Sequence, residues 1–140
     1  MNNTGYTPEE PIAAIATALV PSAIGIVRAS GKNCIELASK IFSRPKESSR
    51  IDEVMAAVYR APRSFTGEDM VEIFCHGGVS VVTSIYNLFL ANGFRKAERG
   101  EYTFRAYING KTDLTKAEAV KEIIESKTDV SRGKIGRAHV

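Results

Sequence analysis

Chemistry in this sequence concentrates in two stretches. The first is Ser64-Phe-Thr-Gly-Glu-Asp69, followed by Glu72 and then by Cys75-His-Gly-Gly78, which places three acids, a histidine and three glycines within 15 positions. Such density at strand ends marks a binding rim. Glu72 stands between Val71 and Ile73, so on a strand its carboxylate shares a face with Met70 and Phe74 and needs a partner there. Read by spacing alone, it is an ordinary solvent-facing Glu on an edge strand. No nucleophile-and-acid set accompanies His76 at informative spacing, which makes it a structural, hydrogen-bonding histidine rather than a general base. Gly77-Gly78 allows a sharp turn into a helix whose N-terminus could hold an anion.

The second stretch, Arg99-Gly-Glu-Tyr-Thr-Phe-Arg-Ala-Tyr-Ile-Asn-Gly-Lys111-Thr-Asp-Leu, is the densest polar-aromatic segment, and Arg28 at the end of a strand could join it. Two fixed cations suit a dicarboxylate ligand, because Arg offers a bidentate fork and Lys a mobile point charge. Composition and spacing alone favour solvated charge plus core aromatics. No Gly-x-x-x-x-Gly-Lys-Ser/Thr occurs, so the chain carries no nucleotide-hydrolase phosphate loop.

The elements that must position these residues belong to an ordinary globular chain. It has 140 residues, 44% hydrophobic and 25% charged, with 19 Lys+Arg against 16 Asp+Glu. At this size a core forms without disulfide or metal. A net charge of +3, dispersed among acids, does not describe a nucleic-acid groove. Cys34 and Cys75, with only His76 and His139, match no zinc spacing, and a reduced cytoplasmic protein is expected. Pro11–Val27 lacks the basic flank of an export signal, and Ile73–Phe94 is interrupted by Cys75-His-Gly-Gly78, Asn87 and Asn92, so neither an exported nor a membrane-spanning chain is expected.

β-Branched runs predict strands at Ile12–Thr17, Ala23–Arg28, Val54–Tyr59 and Met70–Phe74. Cys34, Ala38, Ile41 and Phe42 define a first helix; Val82, Ile85 and Phe89, with Val81 and Leu88, define a second that Gly93 closes. Phe94–Ile108 reads as extended and turn-like. The capping box Thr115-Lys-Ala-Glu118 opens a third helix with Leu114, Ala117, Val120 and Ile124 as its buried stripe. The expected class is α+β, a mixed sheet with about three helices. Ile135–Val140 has no helical period and reads as a non-native tail.

Several motifs come in the order seen in one family: Ile12-Ala-Ala-Ile-Ala-Thr17, Gly25-Ile-Val-Arg-Ala-Ser-Gly31, Ser64-Phe-Thr-Gly-Glu-Asp-Met-Val-Glu72, Cys75-His-Gly-Gly78, Gly100-Glu-Tyr-Thr-Phe-Arg-Ala-Tyr-Ile-Asn-Gly-Lys111 and Asp113-Leu-Thr-Lys-Ala-Glu-Ala-Val120. Over about residues 11 to 129 the chain resembles the N-terminal domain of the MnmE (TrmE) family of tRNA uridine-modifying GTPases.

The resemblance implies a fold similar to folate-binding aminomethyltransferase domains, spanning residues 1–112, with residues 113–134 beginning a helical domain. It implies binding of a tetrahydrofolate derivative, 5-formyl- or methylene-tetrahydrofolate, near the interface of a homodimer. Full-length family members act with an MnmG-type flavoprotein on tRNA. They install an aminomethyl or carboxymethylaminomethyl group at C5 of the wobble uridine, the folate supplying the one-carbon unit. GTP, potassium and magnesium belong to a GTPase domain that this sequence does not contain, so no GTP hydrolysis is expected of it alone. Carried over by motif, the family's folate-contacting Arg, Glu and Lys fall on Arg28, Glu72 and Lys111. A weaker reading is direct tRNA contact through Arg95, Lys96 and Arg99. The sequence departs from the family in its first loop, Ala18-Leu-Val-Pro-Ser-Ala23, and at Arg50-Ile-Asp52, where relatives carry a β-hairpin. The competing expectation is therefore a structural dimerisation domain that has lost folate binding.

Overall fold

The computed structural model describes residues 10–42 and 54–113. The β-branched runs form strands β1 (Ile12–Ile15), β2 (Ser22–Ser30), β3 (Met55–Tyr59) and β4 (Met70–Gly77), joined by a two-residue β5 (Arg95–Lys96) in one sheet of order β3-β4-β2-β1-β5. β5 runs parallel to β1, and the other neighbours are antiparallel. The α+β class with a mixed sheet holds.

Period-two alternation divides the two central strands. Val27 and Ala29 of β2 and Val71, Ile73 and Cys75 of β4 form one buried cluster with Ala13 of β1. Two helices close over that cluster: α1 (Cys34–Phe42), through Cys34 and Ala38, and α2 (Val79–Ala91), through Val82, Ile85 and Phe89. Their apolar stripes are the ones the sequence predicts. Phe94 packs edge-on against Phe89, with ring centroids 4.9 Å apart. Gly93, at φ 97°, follows the C-cap of α2 as expected. Gly78, by contrast, caps the start of α2 at φ −69° and ψ 139°, an extended conformation open to any residue.

Two expectations need correction. Phe94–Ile108 is not extended throughout: after β5, residues Glu101–Ile108 form a helix, α3. Its inward residues are Glu101, Arg105 and Ala106, so its buried side is mostly charged and leaves no apolar period to read. Nor is Glu72 on an edge strand, because β4 lies between β3 and β2. The edge strand is β3, whose Met55 and Val58 are exposed. The helix expected from the capping box at Thr115–Glu118, the tail 135–140 and the departure at Arg50–Asp52 lie outside the described residues.

Candidate functional site

The site grows from the register of the central strands. β2 pairs with β4 so that Arg28 stands directly opposite Glu72, and β3 adds Ala57 opposite Glu72 on the other side. Residues directly opposite on antiparallel strands project to the same face. Both side chains therefore leave the sheet on the face away from α1 and α2. Arg28 donates its Nε–H to Glu72 Oε2 at 2.7 Å, and the two side chains are 34% and 15% exposed. At the end of β3 the Tyr59 hydroxyl donates to the other oxygen, Glu72 Oε1, at 3.4 Å. The partner that Glu72 requires is thus a cation 44 positions earlier in the chain.

Arg28 is held by α3 as well. The Tyr102 hydroxyl donates to the Arg28 carbonyl at 2.8 Å, and the Arg28 guanidinium carbon lies 6.0 Å from the Tyr102 ring centroid. Burial pushes the Tyr102 phenol far above its ordinary value, so it stays a donor.

Lys111 is positioned by another route. α3 ends at its C-cap Asn109 and continues through Gly110 at φ 75°. The Gly110 amide donates to the Tyr107 carbonyl at 2.9 Å and the Lys111 amide to the Ala106 carbonyl at 2.7 Å, the pair of bonds of a Schellman motif. Helix termination thereby sets the backbone of Lys111. Its Nζ donates to the Pro62 carbonyl at 3.0 Å, three residues beyond Tyr59. Beneath it, Gly67 at φ 82° leaves no room for a side chain: a Cβ there would stand 2.8 Å from Asn109 Cβ and 3.3 Å from Lys111 Cγ. The loop glycine of Ser64–Asp69 therefore serves close packing under the lysine.

A buried polar network fastens α3, and with it Tyr102 and Lys111, to the sheet. Arg105 is fully buried and donates to Glu101 Oε2 at 3.0 Å and to Glu68 Oε1 at 3.2 Å. Glu68 also accepts from the Ser30 hydroxyl at 2.7 Å, and Ser30 meets Thr66 at 2.8 Å. Arg95 donates to Glu101 Oε2 at 2.7 Å and to Glu10 Oε1 at 3.0 Å. Burial works to raise the Glu101 pKa, but hydrogen bonds from Arg95 and the Glu98 amide and the charge of Arg105 outweigh it and hold it below its ordinary value. Asn109 completes the tie by donating to the Thr66 carbonyl at 2.9 Å.

Of the three residues assigned by resemblance, the structure joins Arg28 to Glu72 directly and brings Lys111 to the turn that follows Tyr59. His76 lies farther along β4, exposed, in register with Ile24. In the basic cluster Arg95, Lys96 and Arg99, Arg95 is committed to Glu10 and Glu101. Sequence reasoning missed Tyr59, Tyr102 and the Glu68–Arg105–Glu101 network. The i, i+4 spacing of Glu101 and Arg105 was the available signal, and it became informative only once the segment was helical. Among the described residues no group of His, Cys, Asp and Glu could hold a metal ion, and no helix is long and apolar enough to cross a membrane.

The chain is 55% identical to the tRNA modification GTPase MnmE of Treponema denticola, with 90% of the chain and 31% of that protein covered. It is 46% identical to the protein of that name from Treponema pallidum, with 88% and 28% covered, and 42% identical to that of Thermus thermophilus, with 92% and 34% covered. The chain thus spans about a third of the length of these relatives. Residues 11–111, which contain every element from β1 to α3 together with Arg28, Glu72 and Lys111, match the family described as GTP-binding protein TrmE N-terminus, and the chain belongs to that family.

Proposed function

We propose that this chain is the folate-binding, dimerising N-terminal module of a cytoplasmic tRNA modification GTPase. Residues 1–112 form the module and residues 113–134 begin a helical domain. A tetrahydrofolate derivative binds through Arg28, Glu72 and Lys111. In the full protein, acting with an MnmG-type flavoprotein, it supplies the one-carbon unit of an aminomethyl or carboxymethylaminomethyl group at C5 of the wobble uridine.

The observation that carries this reading is the placement of Arg28 opposite Glu72 on the central strands, with Lys111 held at the Pro62 carbonyl, three residues beyond Tyr59. A folate joins a hydrogen-bonding pterin to a carboxylate tail, and a carboxylate with two cations complements both ends. Exposed Met55 on β3 and Ile24 on β2 supply apolar surface for a second copy. Titration of the chain with 5-formyltetrahydrofolate by calorimetry tests the ligand, and light scattering tests the dimer. Saturable binding by a dimer is expected; a folded dimer without binding refutes the folate assignment.

One observation favours a second reading, a dimerisation domain without ligand. Arg28 and Glu72 satisfy one another at 2.7 Å and stand as a structural pair. The same titration decides between the two.

A further inference from the structure

We propose that Tyr59 is the stacking residue of this site: its ring is the platform on which the flat heterocycle of the ligand lies while the Arg28–Glu72 pair reads the heterocycle's edge. The proposal rests on the folate reading and adds to it a residue and a ligand polarity.

Three observations lead to Tyr59. It ends β3 as a residue 38% exposed, on the sheet face that carries Arg28 and Glu72. Its hydroxyl sits 3.4 Å from Glu72 Oε1, a long contact that places the ring beside the carboxylate but binds it weakly. Three residues further on, Pro62 holds the Lys111 ammonium. Tyr59 therefore touches Glu72 and stands three residues before the carbonyl that holds the second cation.

The chemistry at each end sets the polarity. Arg28 is a donor and Glu72 an acceptor, joined side by side through Nε and Oε2, which leaves the Nη groups of Arg28 as donors beside Oε1 of Glu72, an acceptor engaged only by the long contact from the Tyr59 hydroxyl. The amide edge of a pterin presents the complement, a carbonyl oxygen beside N–H donors. Lys111 is only a donor and suits the carboxylate tail. The pterin accordingly lies over Tyr59 against Arg28 and Glu72, and the tail runs toward Lys111. An aromatic ring beside that edge adds face-to-face attraction that does not depend on the hydroxyl.

Calorimetry on the whole chain, with 5-formyltetrahydrofolate and with tail-less 6-methyltetrahydropterin as probes, separates the roles. Stacking on an aromatic is worth roughly a five- to hundredfold change in affinity, so Tyr59→Ala should weaken both probes by that factor. Tyr59→Phe should stay within about threefold of the parent, because the hydroxyl contact is long. Lys111→Ala should weaken the folate and leave the tail-less pterin unchanged. Circular dichroism checks each fold. Should Tyr59→Ala unfold, Tyr59→Leu keeps apolar bulk without an aromatic face and is expected to show the same loss. Parent-like affinity of a folded Tyr59→Ala or Tyr59→Leu, with binding lost in Glu72→Gln, overturns the role of Tyr59 and leaves the folate reading standing. A loss in Tyr59→Phe equal to that in Tyr59→Ala overturns stacking in favour of the hydroxyl. Absence of binding by the parent overturns both readings.

Discussion

Arg105 and Glu101, one turn apart on α3 and both fully buried, hold each other at 3.0 Å. Removing one member of a buried ion pair strands the other without solvent, which costs about 3–5 kcal/mol. Arg105→Met takes this cation from Glu68 and from Glu101, which keeps Arg95, and should lower the unfolding free energy obtained from urea titration by an amount toward the lower end of that range. Arg28→Gln breaks a pair that solvent reaches and should cost no more than about 1 kcal/mol.

The depressed pKa of Glu101 ties stability to acid. A carboxyl whose folded pKa lies below its unfolded value binds protons more readily when unfolded, so its contribution is complete above the unfolded value and is lost as pH falls through the folded one. Stability should therefore decline as pH drops below the ordinary value of 4.5. Urea midpoints measured down that range should fall less steeply in Glu101→Gln, although that variant starts from a lower midpoint.

Glu72→Gln keeps the shape of the side chain and removes its charge. A charge-assisted hydrogen bond to a ligand is worth about 1.5–3 kcal/mol, so affinity for 5-formyltetrahydrofolate should fall roughly ten- to a hundredfold in calorimetry. Arg28→Lys should also weaken binding, since a point charge does not reproduce a planar fork. A Glu72→Gln/Arg28→Lys double variant should lose less than the sum of the two, because both residues serve one ligand.

Burial, aided by the charge of Asp69, pushes the Cys34 thiol up to about 12. The thiolate is the reactive form, so Cys34 should resist iodoacetamide near neutral pH in the folded chain and react once urea unfolds it. Mass spectrometry of the tryptic peptide reads both states.

What could be read in the sequence follows from where apolar atoms go. The strands and α2 are built on Val27, Ile73, Ile85 and Phe89, whose spacing repeats the geometry of their elements. α3 buries Glu101 and Arg105 instead, and a pattern of charges has no hydrophobic period. The site was legible only in part for a similar reason. Resemblance singled out Arg28, Glu72 and Lys111, but nothing in the chain's local order says that Arg28 faces Glu72, because that is decided by the β2–β4 register. Tyr59 and Tyr102 drew no notice because aromatic residues near strands and helices are usually core.

The register that joins Arg28 to Glu72 also spans 44 positions of chain. Closing a loop of that length has an entropic cost that grows with the logarithm of its length, and contacts between distant positions form late and slowly. The two halves of the site therefore do not exist in any local fragment and appear together when β2 zips onto β4. A molecule that bridges them binds the native chain alone, and mass action then makes it a clasp on the central seam of the sheet. Hydrogen exchange of amides along that seam should slow as the molecule is added, because every opening that frees those amides also ejects it.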